Sequence, residues 1–531
     1  MTNPRPLLAL AANGVRLTAA LFALALIAPA TASAADVRLV ELDRAQALQP
    51  VDRFFDQAIG ADFPGTTGRA DSLAQLKTTV DELGFRQLRF HAIFHDVLGT
   101  VRMVDGHAVY DFSGVDRLYD ELLARHIRPL VELGFTPAAM ASSPQTIFYW
   151  KGNTSHPDPA AWQALVEAFA RHIVQRYGIN EVQAWPFEVW NEPNLAGFWE
   201  GADQKAYFEL YASTASTLKK VDARLRVGGP STAGADWVVP FLAYAKQHAV
   251  PVDFVTTHTY GVDGGFLDEN GIEDRKLSAS PDAIVGDVRR VREQIKASHL
   301  PTLPLYITEW STSYNPRDLV HDSYISATYI LAKLHAVRGL AQAMSYWTFS
   351  DLFEEPGPPP APFHGGFGLM TREGIRKPAF FAYKYLHALA GNDIPSRDDS
   401  VLASADGART AVVVWDWQQP AQDVSNHPFF GKPVPAMPSR PVQLRIAHVT
   451  AGSYRLRVHR TGYRTNDAFT AWLDMGRPAS LDAGQLRRLN ALTADAPETD
   501  SVVKLAADGV ISTTVAMRSN DIVLVTLEPA R

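Results

Sequence analysis

Between about Phe55 and Leu386 the chain repeats one unit eight times: a short apolar run, then a longer stretch with apolar residues at helical spacing. The apolar runs fall at residues 55–61, 85–92, 127–134, 185–191, 226–230, 252–258, 304–310 and 343–349. The helical stretches between and after them fall at 72–83, 114–125, 160–177, 204–221, 236–248, 281–298, 322–338 and 377–390. Val115, Leu118, Tyr119, Leu122 and Leu123 illustrate the spacing, which puts all five on one helix face. Eight such alternations predict a parallel sheet closed on itself, an α/β fold of the (β/α)8 TIM-barrel type, over residues 51–390.

Beyond about Ala390 the pattern changes. Short strand-like runs at 411–417, 442–448, 454–460 and 522–527 are separated by Pro- and Gly-rich turns, which predicts a C-terminal β-sandwich over 391–531. The early run at 37–42 lies before the barrel, and residues 35–50 are expected to add a strand to that sandwich. Residues 355–362, Glu-Pro-Gly-Pro-Pro-Pro-Ala-Pro, lack the N–H groups that helices and ladders need and predict a stiff loop beyond the eighth strand. No solenoid-type repeat is present.

Arg5 and Arg16, the apolar run 17–30 and Ala32-Ser33-Ala34 form a charged, apolar and small-residue series with no acid before Asp36. That is the pattern of a secretory signal over residues 1–34, too short in its apolar part for a bilayer span. The expected location is periplasmic or secreted, with no membrane contact after cleavage. Such a protein often carries disulfides, but this one has no Cys. A thiol nucleophile, a Cys-ligated zinc and an iron–sulfur cluster are therefore excluded together. With 57 acidic residues against 50 basic ones, electrostatic binding of nucleic acid is not expected.

Catalytic groups of a (β/α)8 barrel sit where its strands end. Two ionisable residues stand there: Glu192 closes the fourth run, Phe187-Glu188-Val189-Trp190-Asn191-Glu192, and Glu309 closes the seventh, Leu305-Tyr306-Ile307-Thr308-Glu309. Two carboxyls facing each other across a barrel mouth are the groups that glycoside hydrolysis uses, one as proton donor and one as nucleophile or base. Their separation, which decides between retention and inversion, is not encoded in spacing. Neighbouring Trp, Asn, Tyr and His residues suit a sugar, with ring faces for its C–H surfaces and neutral donors for its hydroxyls. Trp150 lies in a predicted loop and is expected in the cleft; Trp310 is expected to pack away from it. Glu188 shares a face with Glu192 and is read as a structural partner of Arg89; Glu132 is read as support. His91 and His95 have an i, i+4 spacing but lie on a strand running into a loop, so no metal is expected there.

The segment Trp190-Asn191-Glu192-Pro193-Asn194 resembles the acid/base signature of the large retaining-glycosidase clan, and Ile307-Thr308-Glu309-Trp310 its nucleophile strand. More specific are Leu88-Arg89-Phe90-His91, Pro129-Leu130-Val131-Glu132-Leu133-Gly134, Tyr149-Trp150-Lys151-Gly152-Asn153 and Phe363-His364-Gly365-Gly366-Phe367-Gly368. With residues 466–476 of the sandwich, these resemble glycoside hydrolase family 39, the β-xylosidase and α-L-iduronidase family, from about Phe54 to the end.

The resemblance implies Glu192 as general acid/base and Glu309 as nucleophile. It implies that Asn191 bonds a 2-hydroxyl, that His91, His258 and Tyr260 line the sugar subsite, that Trp347 is the platform under the ring, and that Glu354 and Glu355 reach outer hydroxyls. The acid needs a raised pKa, and Tyr260 is expected to bond Glu309. No metal or other cofactor is expected. The activity so implied is retaining, exo-acting removal of terminal β-D-xylosyl residues from xylo-oligosaccharides, a step of xylan degradation. The sole partner expected is the oligosaccharide, with assembly into a homo-oligomer left open. The same chemistry on an α-L-iduronide, an arabinoside or an exopolysaccharide is an alternative, although a uronic acid needs a cation that the sequence does not place. A glycan-binding protein without catalysis is another, but such a protein is free to lose either Glu. A metal hydrolase is a third, separable with a chelator.

Overall fold

The computed structural model describes residues 37–506 and 509–530. The expected signal at 1–34 lies outside them.

All eight alternations form. The strands are β1 (Ile59–Gly60), β2 (Gln87–Phe90), β3 (Arg128–Leu133), β4 (Pro186–Val189), β5 (Arg226–Thr232), β6 (Phe254–Tyr260), β7 (Leu305–Ser311) and β8 (Ala343–Tyr346). Each pairs in parallel with the next, and β8 pairs with β1, closing the barrel. The principal helices that return the chain are α1 (Ala70–Leu83), α2 (Ser113–Leu123), α3 (Pro159–Tyr177), α4 (Gln204–Val221), α5 (Val238–His248), α6 (Val285–Lys296), α7 (Ile325–Ala336) and α8 (Pro378–His387). Their starts are written locally. Asp158 accepts the Ala161 N–H ahead of Pro159 at the first turn of α3, and Asp203 accepts that of Ala206 in α4. Val115, Leu118, Tyr119 and Leu122 of α2 are buried against the barrel, as their spacing requires.

β1 is the element that departs most from the sequence pattern. Its apolar run begins at Phe55, yet Phe54–Asp56 forms a 3₁₀ turn. The reason is Asp56, whose buried carboxylate accepts bonds from Arg53 and Arg86 and holds the chain in a turn below the sheet.

The C-terminal part is two facing sheets around one apolar core. The larger has seven strands, in the order Gln49–Pro50, Asn392–Ile394, Val401–Asp406, Arg409–Trp415, Ile522–Pro529, Gly452–Thr461 and Thr499–Leu505. The smaller has three, Arg38–Asp43, Pro438–Ala447 and Ile511–Arg518. Val40, Leu42, Val442 and Leu444 from the small sheet meet Val412, Val414, Val523 and Val525 from the large one. The N-terminal strand Arg38–Asp43 runs parallel to Pro438–Ala447, with Arg38 opposite Val442. The helices Ala468–Asp474 and Ala483–Leu492 break the all-β pattern. The first of them turns Phe469 and Trp472 onto Phe363, in the long loop after β8.

The sandwich also holds two loops at the barrel mouth. The hairpin Val262–Leu267/Glu273–Leu277, which follows β6, is bonded along its length: Asn426 Oδ1 accepts the Leu277 N–H at 3.0 Å and Ser425 Oγ donates to the Leu267 carbonyl at 2.9 Å. Asn426 Nδ2 donates to Asp318, in the loop after β7, at 2.8 Å.

Candidate active site

β4 ends at Val189 because the next residues turn out of the ladder. Trp190 and Glu192 both adopt left-handed backbone conformations, at φ of 70° and 45°. The peptide groups are pinned on both sides: Trp190 N–H donates to Leu133 O of β3, and Glu192 N–H to Ser231 O of β5. Such strained backbone persists only where its surroundings hold it, and here it aims the Glu192 side chain into the mouth. β7 delivers Glu309 from the opposite wall. One carboxylate oxygen of Glu192, one of Glu309 and a ring nitrogen of His258 all lie within 4.8 Å of one another.

The two acids have different surroundings. Burial pushes the Glu192 carboxyl up to about 7, a shift that His91 and Arg89 only partly offset. Its nearest polar neighbour is His258, whose Nδ1 is 2.9 Å from Glu192 Oε1 and 3.6 Å from Glu309 Oε2. Burial takes His258 down to about 4, so at neutral pH it is an uncharged ring. Glu309 instead receives two strong donors. Arg89 Nη1 donates to Oε1 at 2.7 Å and the Tyr260 hydroxyl, the expected partner, donates to Oε2 at 2.7 Å.

Arg89 is the hub beneath the site. Its fully buried guanidinium also bonds Glu188 at 2.6 Å, Asn191 Oδ1 at 2.8 Å and Glu132 at 2.9 Å. Asn191 is thereby turned so that its amide N–H₂ is left for another acceptor. Glu188 is structural as read, bonded by Arg89 and by Thr308 Oγ1. Glu132 braces His91 Nδ1 at 2.7 Å and the Ala92 N–H at 3.1 Å. Burial opposes a charge on His91, but Glu132, Glu355 and Glu309 outweigh it and raise the ring well above its usual range.

Of these groups, His91, Asn191, Glu192, Tyr260 and Glu309 line a cavity of about 480 Å³. One end is closed and polar. His91, Trp347 and Glu355 form it, with His91 Nε2 3.2 Å from Glu355 Oε1, and burial pushes Glu355 up to about 8. Phe367 completes that wall. The other end opens to solvent past Leu195, Phe198 and Tyr314. Trp347 reaches its place because β1 offers Gly60: a Cβ there would lie 2.2 Å from the indole. Gly60→Ala is therefore expected to displace Trp347, raising KM for a glycoside by tenfold or more and lowering the thermal midpoint by several degrees. Steady-state kinetics with a melting curve checks both.

Three expected site residues do not line the cavity: His258 is fully buried and spends its Nδ1 on the two acids, 2.9 Å from Glu192 and 3.6 Å from Glu309, so it supports them and does not face a sugar. Trp150 is buried beside the cavity and does not line it. It stacks on Phe63 at 4.6 Å and donates its N–H to Asp62 at 3.1 Å. Glu354 turns outward to Arg69, at 3.1 Å, while its backbone N–H donates to Asp62 at 2.8 Å; only its neighbour Glu355 enters the cavity. Asp62, at the end of β1, was not singled out by the sequence reading, yet it fixes both loops. An acid ending a barrel strand was the available signal. Trp310 packs away from the site, edge-on to Tyr346. His95 does not meet His91 in a metal site; it bonds the Trp150 carbonyl and the Val97 N–H.

A (β/α)8 barrel with two strand-end carboxyls facing one another over a sugar-sized recess defines a glycoside hydrolase. The chain belongs to glycosyl hydrolases family 39, whose family model matches residues 38–512. It is 36% identical over 483 residues to a beta-xylosidase of Geobacillus stearothermophilus, covering 89% of this chain and 92% of that protein. Among solved structures, a GH39 enzyme from Xanthomonas axonopodis pv. citri superposes with a TM-score of 0.93 at 64% identity, over 93% of this chain and 98% of that one. A monomeric beta-xylosidase from Caulobacter crescentus does so with a TM-score of 0.92 at 61% identity, over 93% and 100%.

Proposed function

We propose that the protein is a retaining, exo-acting β-xylosidase that releases terminal β-D-xylosyl residues from xylo-oligosaccharides by double displacement. The observation that carries the mechanism is the approach of Glu192 and Glu309 oxygens to within 4.8 Å. Inverting enzymes keep their carboxyls ~6.5–9.5 Å apart to admit a water, whereas retaining ones hold them at ~5–5.5 Å. In the first step a Glu309 oxygen bonds the anomeric carbon as the glycosidic C–O bond breaks. The Glu192 proton passes to the leaving oxygen. In the second, Glu192 takes a proton from water, the hydroxyl bonds the anomeric carbon, and Glu309 leaves. Esterification of Glu309 removes one of the negative charges that balance Arg89. With that negative charge gone from beside Glu192, its proton is held less tightly, and the group that began as an acid becomes the base.

Exo action is supported by the closed end, which leaves room for a terminal residue over Trp347. A neutral sugar is supported by the lining, since none of the described residues that line the cavity is Lys or Arg. Arg89 lies below, already shared among three carboxylates. An iduronide carboxylate there would meet Glu355 and the His91 ring, whose charge Glu132 and Glu355 already engage. The xylosidase names borne by the relatives support the pentose.

A panel of nitrophenyl glycosides with anomeric NMR tests the proposal. β-Xyloside is expected to be cleaved fastest and β-xylose to appear first; α-xylose first would overturn double displacement. Because Glu192 must hold its proton in the free enzyme, kcat/KM is expected to fall about tenfold per pH unit above about 7. A pH–rate profile flat from 6 to 9 would remove Glu192 as the acid.

A further inference from the structure

The cavity has two chemically different ends. The closed end carries the buried polar side chains. The open end lies beside Glu192, the group that touches the leaving oxygen under the reading just given, on which this inference rests. Its walls are Leu195 and Phe198 from the loop after β4, Ala233 and Gly234 from that after β5, Val262 at the start of the hairpin, and Tyr314 after β7. Leu195 and Tyr314 are 40% and 43% exposed, so this end is the mouth.

Most polar atoms at this end already have partners within the protein. Asn194 bonds both the N–H and the carbonyl of Ala233, at 2.9 and 3.0 Å. The Gly234 carbonyl accepts from Arg290 at 3.2 Å. Asp287, the one charged side chain at this end, accepts from Thr259 Oγ1 at 2.6 Å and pairs with Arg290 at 2.8 Å. What remains is the Tyr314 hydroxyl and a largely apolar surface of Leu195, Phe198, Val262 and the Tyr314 ring, which is braced by Arg275 at 4.8 Å.

We infer that the leaving-group site favours apolar aglycones, so that long-chain alkyl β-D-xylosides are better substrates than short-chain ones. The walls offer area to bury and few donors or acceptors to satisfy, and a chain of methylenes gains by desolvation what a sugar loses.

The test is a homologous series of n-alkyl β-D-xylosides from methyl to hexyl. Their leaving alcohols differ little in acidity, so the slope reads contact alone. A buried methylene multiplies kcat/KM by roughly two- to fourfold, so hexyl is expected to exceed methyl by at least about thirtyfold. The 2-(2-methoxyethoxy)ethyl xyloside, similar in length but polar, is expected to lie near methyl. In Phe198→Ser and in Val262→Thr, each checked for an unchanged melting curve, the slope should flatten. A series with no rise in the wild type, or a polar chain served as well as hexyl, would overturn the inference while leaving β-xyloside hydrolysis intact. If no β-xyloside is cleaved at all, the xylosidase reading fails. The same alkyl series built on the sugar that the glycoside panel identifies then decides the leaving-group site, a rise supporting it and a flat series overturning it.

Discussion

Replacing Glu309 by Ala is expected to lower kcat on a β-xyloside by at least about ten-thousandfold, the scale on which loss of a nucleophile acts. The enzyme should remain folded. Arg89 keeps Glu132, Glu188 and Asn191 as partners, so its charge stays compensated when the fourth contact is lost. The cavity opened by the missing carboxylate can admit azide. Added azide should restore turnover of an activated aryl xyloside and yield α-xylosyl azide, since a single displacement inverts the anomeric carbon. NMR of that product is the decisive measurement. Wild-type rates in Glu309→Ala, or a β-azide, would sink the assignment.

Glu192→Ala should behave differently, and the difference separates the two roles. Protonation matters most when the leaving group is a poor one. Hydrolysis of xylobiose is expected to fall by a thousandfold or more, whereas the first step with dinitrophenyl xyloside should change little. The glycosyl-enzyme then accumulates, because water has lost its base. A burst of dinitrophenol followed by a slow steady state is the expected trace, and azide should remove the slow phase and give β-xylosyl azide. The fall in kcat/KM above about pH 7 should vanish in the same variant. Equal losses on both substrates would show that Glu192 acts in placing the substrate and not in moving a proton.

Much of this was written in the sequence because a closed parallel barrel makes strands and helices alternate, and each leaves its own period. The same topology located Glu192 and Glu309, since strand ends face the mouth. Side-chain direction in loops was not legible. Trp150 and Glu354 are adjacent in space to the cavity, but their aim is set by Phe63, Asp62 and Arg69, which lie far away in the chain. Of the consecutive acids Glu354 and Glu355, only three-dimensional partners decide that one turns to Arg69 and the other to His91. Arg89 was read as the mate of Glu188 alone. That it also reaches Glu309, Glu132 and Asn191 depends on the barrel radius, which no spacing records. The leaving-group end was invisible for a similar reason: it is assembled from four loops, each unremarkable by itself.

The strand Arg38–Asp43 has a meaning for how the protein comes into being. Arg38 pairs its side chain with Asp398, 360 residues later, and its backbone with a strand farther on still. Synthesis runs from the N-terminus, so the first described strand stays without its neighbour while the whole barrel is made. The barrel's strands lie nearer one another in sequence than Arg38–Asp43 does to Pro438–Ala447. Only the final stretch supplies the sheet that receives the waiting strand, and that same stretch brings Ser425 and Asn426 to the hairpin at the barrel mouth. A chain cut short after His387 would hold both acids and the whole barrel and lack the clasp. The sandwich thus works as a check on completion: the site is finished only when the polypeptide is.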